Sequence, residues 1–109
     1  MKTVQITENL QCAIGKNASE NWQLLDESKP EHIFFHLASF PSCYVILKCD
    51  SAPDGDIIKE CARLCKENTK YKNLNDVKVD YTTCNNVKKG DKVGEVYFCS
   101  NRKVNQIKI

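Results

Sequence analysis

Two histidines and two cysteines have the spacing most suggestive of chemistry. His32 and His36 bracket the run "HIFFH", and Cys61 and Cys65 repeat the same four-residue interval in "CARLC". On a helix, residues four apart are neighbours, with Cβ atoms roughly 6 Å apart, so either pair would supply half a metal site. On a strand the same interval covers about 13 Å, which one zinc ion with bonds of about 2.1 Å does not bridge. "HIFFHL" is aromatic and β-branched, which favours strand. The histidines are therefore not read as a metal pair. Ile33, Phe35 and Leu37 then point to one face, and His32, Phe34 and His36 to the other.

The cysteines number seven, at positions 12, 43, 49, 61, 65, 84 and 99. An odd count with no C-x-x-C pair argues against a disulfide framework, a zinc ribbon and a redox motif. Reduced core thiols acting as small hydrophobes is the expected role. Cys61 and Cys65 lie in a helical pattern but lack a second pair, so a metal or thiol function ranks third among the readings. No G-x-S-x-G, H-E-x-x-H or Walker loop occurs. The expectation is a protein that is not an enzyme and holds no cofactor or metal.

The elements that must position these residues follow from local pattern. Thr3–Ile6 and Gln11–Ile14 read as short strands around "TENL". "GKNASENWQLLDESKP" reads as a loop and a helix over about 18–28, with Asn17 and Glu20 as a capping box, Ala18, Trp22 and Leu25 on one face, and Pro30 as the stop. "HIFFHL" and "SCYVILKC" are successive strands across "ASFPS". Residues 56–68 form the cleanest amphipathic helix, with Ile57, Ile58, Cys61, Leu64 and Cys65 on one side and Lys59, Glu60, Arg63, Lys66 and Glu67 on the other. In "VKVDYTTC", Val77, Val79 and Tyr81 point in, and Lys78 and Asp80 out. "NNVKKGDKVG" reads as a basic loop, and "EVYFCSNRKVNQIKI" as two strands around the turn "SNRK". The fold class is α+β: a mostly antiparallel sheet with both helices on one face, in a single domain over 1–109.

Composition is that of a globular protein, 41% hydrophobic and 28% charged. "MKTVQITENLQC" lacks an apolar signal core, and no run approaches the ~18 apolar residues of a membrane span. A soluble cytoplasmic protein without membrane association is expected. The net charge of +2 conceals an asymmetry. Through Asp56, four lysines face eight acids; from Ile57 onward, twelve basic residues face six acids. Such asymmetry suggests a polyanionic partner. Phe34 and His36, with Tyr44 beside them, would then form an exposed sheet face that stacks unpaired bases, lysines nearby holding phosphates. The alternative is that the helix carrying Trp22 covers Phe34 and Tyr44. Periodicity alone leaves both open.

The run "IGKNASEN…PEHIFFHLASFPSCYVIL", followed by "CARLCKEN", "VKVDYT", "NNVKKG" and "VGEVYF" in that order, resembles the NFACT-R domain. It is nearest the short eukaryotic branch typified by the coiled-coil domain-containing protein twenty-five. The resemblance covers about residues 11–109. It implies a stand-alone nucleic-acid-binding module working with transfer RNA or ribosomal RNA, and with the ribosome, in ribosome-associated quality control. Gly15 and Asn21 match the family's loop glycine and helix asparagine, and Phe35 and His36 match the end of its D-x-W-F-H strand. His32 stands in place of the aspartate, Phe34 of the tryptophan and Tyr44 of a second histidine. The residues expected to meet nucleic acid are Phe34, His36 and Tyr44 for bases, Lys16 and Asn21 near the signature, and Lys88, Lys89, Lys92, Arg102 and Lys103 for phosphates. The three replaced positions favour, as the alternative, a protein-interaction module that has lost RNA binding.

Overall fold

The computed structural model describes residues 1–109. In chain order the elements are β1 (Lys2–Thr7), β2 (Leu10–Ile14), α1 (Ala18–Glu27), β3 (Ile33–Leu37), β4 (Val45–Lys48), α2 (Gly55–Glu67), β5 (Lys78–Thr83), β6 (Val87–Lys89), β7 (Val96–Phe98) and β8 (Asn105–Lys108). Six strands form one sheet in the order β1-β2-β4-β3-β5-β8, while β6 and β7 form a separate ribbon. Every pairing is antiparallel. The α+β class with two helices on an antiparallel sheet is thus the observed one.

The helices do not share a face. Alternation along β3 and β4 sends Ile33, Phe35, Leu37, Val45 and Leu47 to one side, where they meet Ile58, Cys61, Ala62 and Cys65 of α2. It sends Phe34, Tyr44 and Ile46 to the other side, where they meet Leu24 of α1 and Val87 of β6. A strand with apolar residues at every position has two faces to bury, and "IFF" and "YVIL" require a cover on each. Full burial of one Leu, Ile or Phe contributes about 1.5–3 kcal/mol, so neither side of β3 and β4 is left to water.

Each helix also departs from expectation in detail. The buried residues of α1 are Asn21 and Leu24; Trp22 and Leu25 of the expected stripe pack partly buried against the same cluster, and Ala18 is exposed. The buried stripe is rotated toward an asparagine that the apolar wheel does not count. On α2, Lys66 belongs to the buried side, and its Nζ donates to the Ile109 carbonyl at 3.0 Å. Its aliphatic stem packs while the ammonium finds an acceptor.

"EVYF" and "NQIKI" are both strands, but they do not pair with each other. β7 pairs with β6, and β8 pairs with β5. Part of the expected basic loop is therefore strand β6. Buried Asn86 explains the split: its side chain donates to the Ser100 carbonyl at 2.9 Å and accepts from the Ser100 N–H at 2.8 Å. Thr82 Oγ1 donates to the Lys103 carbonyl at 2.9 Å. These bonds hold 100–103 against the ends of β5 and β6, so the chain crosses between two sheets where a tight hairpin would otherwise form.

Candidate nucleic-acid interface

The site is assembled around Gly15, Asn21 and Tyr44. The Tyr44 N–H donates to Asn21 Oδ1 at 3.1 Å, and the Gly15 N–H donates to the Tyr44 carbonyl at 3.2 Å. A Cβ on Gly15 would lie 2.1 Å from Asn21 Oδ1. Only glycine admits the amide there, so the glycine and asparagine act as one unit. The Tyr44 hydroxyl donates to the Gly94 carbonyl, and Trp22 Nε1 donates to the Glu95 carbonyl at 2.9 Å. Gly94 has φ +89°, and a Cβ there would come 2.7 Å from Ala18 Cβ. The 90–95 loop is thereby clamped on the first turn of α1. Burial, and after it Glu95, push the Tyr44 hydroxyl up to about 12, so it remains a donor at neutral pH.

A cleft of about 550 Å³ opens between this loop, the start of α1 and the 41–43 segment, with Lys16, Asn17, Asn21, His36, Lys92 and Glu95 among its lining residues. Asn17 Oδ1 accepts the Glu20 N–H at 2.9 Å, the cap expected from sequence. Glu20 reaches back to the Lys16 N–H at 3.0 Å and to the terminal amine of Met1 at 3.0 Å. Those two contacts, the Lys16 bond first, hold its carboxyl below the usual range. The first turn of a helix favours anions through its N–H groups and dipole, and Lys16 and Lys92 add charge at the same place. A second hollow adjoins through Lys16, Pro41, Ser42 and Cys43, and it adds Lys2 and Lys70 with no acid in its lining.

His36 is the ring that faces the cleft from the sheet. It is half-buried, parallel to Phe34 (7°, centroids 6.2 Å) and edge-on to Tyr44 (76°, 5.6 Å). Burial lowers its pKa, against smaller opposing contributions from the Leu37 backbone and Asp80. A neutral imidazole offers one donor and one acceptor, suited to a base edge or a ribose hydroxyl.

The structure brings Lys16, Asn21, His36 and Lys92 together and leaves the other expected residues elsewhere. Phe34 is 0% and Tyr44 1% exposed, so neither ring offers a face to a base as expected. They are closed over by α1, the β6–β7 ribbon and the Gly94 loop, and they support His36 from beneath. Phe98 completes that cluster against Phe34 at 6.2 Å. Lys88 and Lys89 lie at the far end of α1, where Lys89 pairs with Asp26 at 2.6 Å. Arg102 and Lys103 sit in a 3₁₀ turn before β8, with Lys103 on the rim of a groove beside α2.

Lys2 and Lys70 were not expected at the site. The excess of lysine was visible in the sequence, but only the fold joins positions 2, 16, 70 and 92. His32 is buried, its Nδ1 accepting the Lys29 N–H at 3.2 Å, and burial lowers its pKa. Cys61 and Cys65 are fully buried and face separate partners, with Cys61 Sγ 3.1 Å from Cys12 Sγ and Cys65 Sγ against the Cys43 carbonyl at 3.6 Å. The Cys61 contact, and then burial, hold the Cys12 thiol far above its usual range, which keeps it protonated. No group of three or more His, Cys, Asp or Glu side chains is placed to hold a metal ion. No helix is long and apolar enough to cross a membrane.

The molecule is thus an α+β module with a lysine-lined hollow at the start of α1, floored by a glycine–asparagine–tyrosine lock on an antiparallel sheet. Residues 2–99 match the family model described as the NFACT protein RNA binding domain, and the chain belongs to that family. It is 32% identical over 107 residues to the Rqc2 homolog RqcH of Bacillus subtilis, covering 95% of this chain and 19% of that protein. It is 28% identical to the coiled-coil domain-containing protein 25 homolog of Dictyostelium discoideum, covering 89% of this chain and 51% of that protein. It is 34% identical over 83 residues to coiled-coil domain-containing protein 25 of Bos taurus, covering 70% and 39%. The chain thus spans from about a fifth to about half the length of these relatives. The fold is shared with the C-terminal part of the fibronectin/fibrinogen-binding protein from Streptococcus suis, at a TM-score of 0.83 and 23% identity, over 93% of this chain and 41% of that one.

Proposed function

We propose that this chain is a non-catalytic RNA-binding module that takes structured RNA, transfer or ribosomal, in ribosome-associated quality control in the cytoplasm. Family membership supports the RNA, and the likeness to an Rqc2 homolog supports the setting. The observation that carries the reading is the meeting of Lys16, Lys92 and His36 at the start of α1, continued by Lys2 and Lys70 in the adjoining hollow. Lysines there hold phosphates as point charges, and the neutral His36 reads a hydroxyl or a base edge.

Affinity for transfer RNA and ribosomal RNA, measured at two salt concentrations, tests this. Each phosphate contact adds roughly −0.7 to −0.9 to the slope of log K against log salt, and four lysines give a slope near −3. The double variant Lys16→Ala, Lys92→Ala reduces the slope by about 1.5. Absence of binding at low salt, or a slope near zero, removes the proposal. Protein partners that stay bound after nuclease treatment would instead favour an interaction module.

A further inference from the structure

The β6–β7 ribbon has two faces of different character. Val87, Val96 and Phe98 turn inward to the core, and Lys89 turns to α1, its Nζ 5.0 Å from the Trp22 ring centre. Lys88 and Tyr97 stand opposite each other in register and point outward. Tyr97 is 58% exposed, more than any other large apolar side chain of the molecule. Side chains directly opposite on an antiparallel pair have Cβ atoms about 5 Å apart, so the lysine and the ring leave the ribbon from adjacent points on one face.

Lys88 also lines a hollow of about 430 Å³ between the end of α1 and β6, with Leu25, Asp26, Ser28, Lys29 and Lys89. The one acid, Asp26, is committed to Lys89 at 2.6 Å. Lys29 and Lys88 are left as the unpaired cations. The dipole of α1 opposes an anion at the helix end itself, and there the Leu25 carbonyl is already taken by the Ser28 hydroxyl at 2.7 Å. A phosphate is therefore best held at the rim, between the two lysines.

We infer that this outer face is a second nucleic-acid contact, which takes one unpaired nucleotide with its base on the Tyr97 ring and its phosphate on Lys29 and Lys88. The inference rests on the RNA reading above and adds a site outside the cleft. An exposed ring with flanking lysines is the makeup of a single-strand stacking platform, whereas the centres of protein–protein interfaces are depleted in lysine. Lys29 and the hollow lie at the C-terminal end of α1, about 15 Å along a ten-residue helix from the cleft at its start, and β7 runs between the two, with Tyr97 two residues from Glu95 of the cleft. The two would hold one RNA at a folded part and at an unpaired flank.

The test uses a labelled 12-nucleotide oligouridine and a duplex of equal length, by fluorescence anisotropy at fixed low salt. Tyr97→Val keeps strand propensity and removes the ring; Tyr97→Phe keeps the ring. We expect Tyr97→Val to weaken oligouridine binding about 5- to 160-fold, Tyr97→Phe to stay within about twofold, and duplex binding to change by less than about twofold in both. Photocrosslinks from 4-thiouridine should fall on the peptide containing Tyr97. Unchanged oligouridine affinity in Tyr97→Val, or crosslinks confined to residues of the cleft, overturns this inference and leaves the RNA reading intact. No binding of any RNA by the unaltered chain overturns the RNA reading itself, and this one with it. Matching circular dichroism of the variants excludes loss of the fold as the cause.

Discussion

The two faces of the six-stranded sheet are buried by different means. The face under α2 is apolar and thiol-rich, a single cluster of Cys12, Ile14, Phe35, Leu37, Val45, Leu47, Cys61, Cys65 and their neighbours. The face under α1 has fewer apolar residues, and polar groups sit among them: Asn21, Thr82 and Asn86 are buried, and His36 is half-buried. No buried side-chain nitrogen or oxygen lacks a partner, so the polar face is fully satisfied by specific bonds. Apolar contacts are non-directional and tolerate rearrangement. A satisfied polar network admits one arrangement. The molecule thus draws stability from one face and fixes the geometry of its cleft with the other.

The largest expected effect falls on the α2 face. Leu47 is fully buried between β2 and β3. Leu47→Ala removes its packing and leaves a cavity, at a cost of about 2–5 kcal/mol. Urea denaturation measures the loss. RNA affinity of the fraction still folded should stay within about twofold of the unaltered chain, because Leu47 points away from Lys16 and His36. A loss of affinity that exceeds the loss of fold would break the division between the two faces.

Next is Gly15→Ala, on the other face. The new methyl meets Asn21 Oδ1 at 2.1 Å and the Asn21 backbone nitrogen at 3.0 Å. The amide has to move, and the buried Tyr44 N–H loses its acceptor. Strain of about 1–3 kcal/mol and an unsatisfied donor of about 1–3 kcal/mol act together, partly offset by relaxation. We expect a destabilisation of about 2–4 kcal/mol. Unlike Leu47→Ala, this variant should also lose RNA affinity in its folded fraction, since Asn21 and the start of α1 line the cleft. Affinity unchanged at reduced stability would mean that the glycine–asparagine unit serves folding alone.

The same contrast explains what could be read from the sequence. The α2 face was legible because its signal is periodicity: Ile33, Phe35 and Leu37 alternate, and Ile58, Cys61 and Cys65 repeat at helical spacing. The cap at Asn17 and the grouping of Gly15 with Asn21 were legible as short motifs. On the α1 face, burial depends on bonds between residues far apart in sequence, and a helical wheel gives no weight to an asparagine. The Asn21 side-chain oxygen accepts the N–H of Tyr44 twenty-three positions on, and Asn86 holds Ser100 fourteen positions on. Hence the helical wheel puts the stripe of α1 at Ala18, Trp22 and Leu25 and leaves out Asn21, and local pattern puts β7 beside β8. The burial of Phe34 and Tyr44 follows from the same cause, because the ribbon that covers them exists only once Asn86 has turned the chain. Of the site, Lys16, Asn21, His36 and Lys92 were legible from the sequence, while Lys2 and Lys70 required the fold.

The smallest expected effect separates stability from binding by pH. Burial lowers the pKa of His36 below its ordinary value of 6.5, and it does the same for His32. Below pH 6.5 the unfolded chain therefore binds more protons than the folded one, and folding stability falls as pH falls. Well above that value both histidines are neutral in either state and the slope disappears. The urea midpoint should thus be flat near pH 8 and decline as pH falls through about 6.5, less so in His36→Gln. RNA binding should move in the opposite direction. A proton on His36 adds a positive charge beside Lys16 and Lys92, so bound phosphate favours the protonated ring and affinity rises as pH falls through the same window. His32 is buried away from the cleft, so His32→Gln should reduce the change in stability and leave the change in affinity as it was. If affinity and stability decline together on acidification, the contact that the neutral His36 ring makes through its acceptor nitrogen outweighs the added charge beside Lys16 and Lys92.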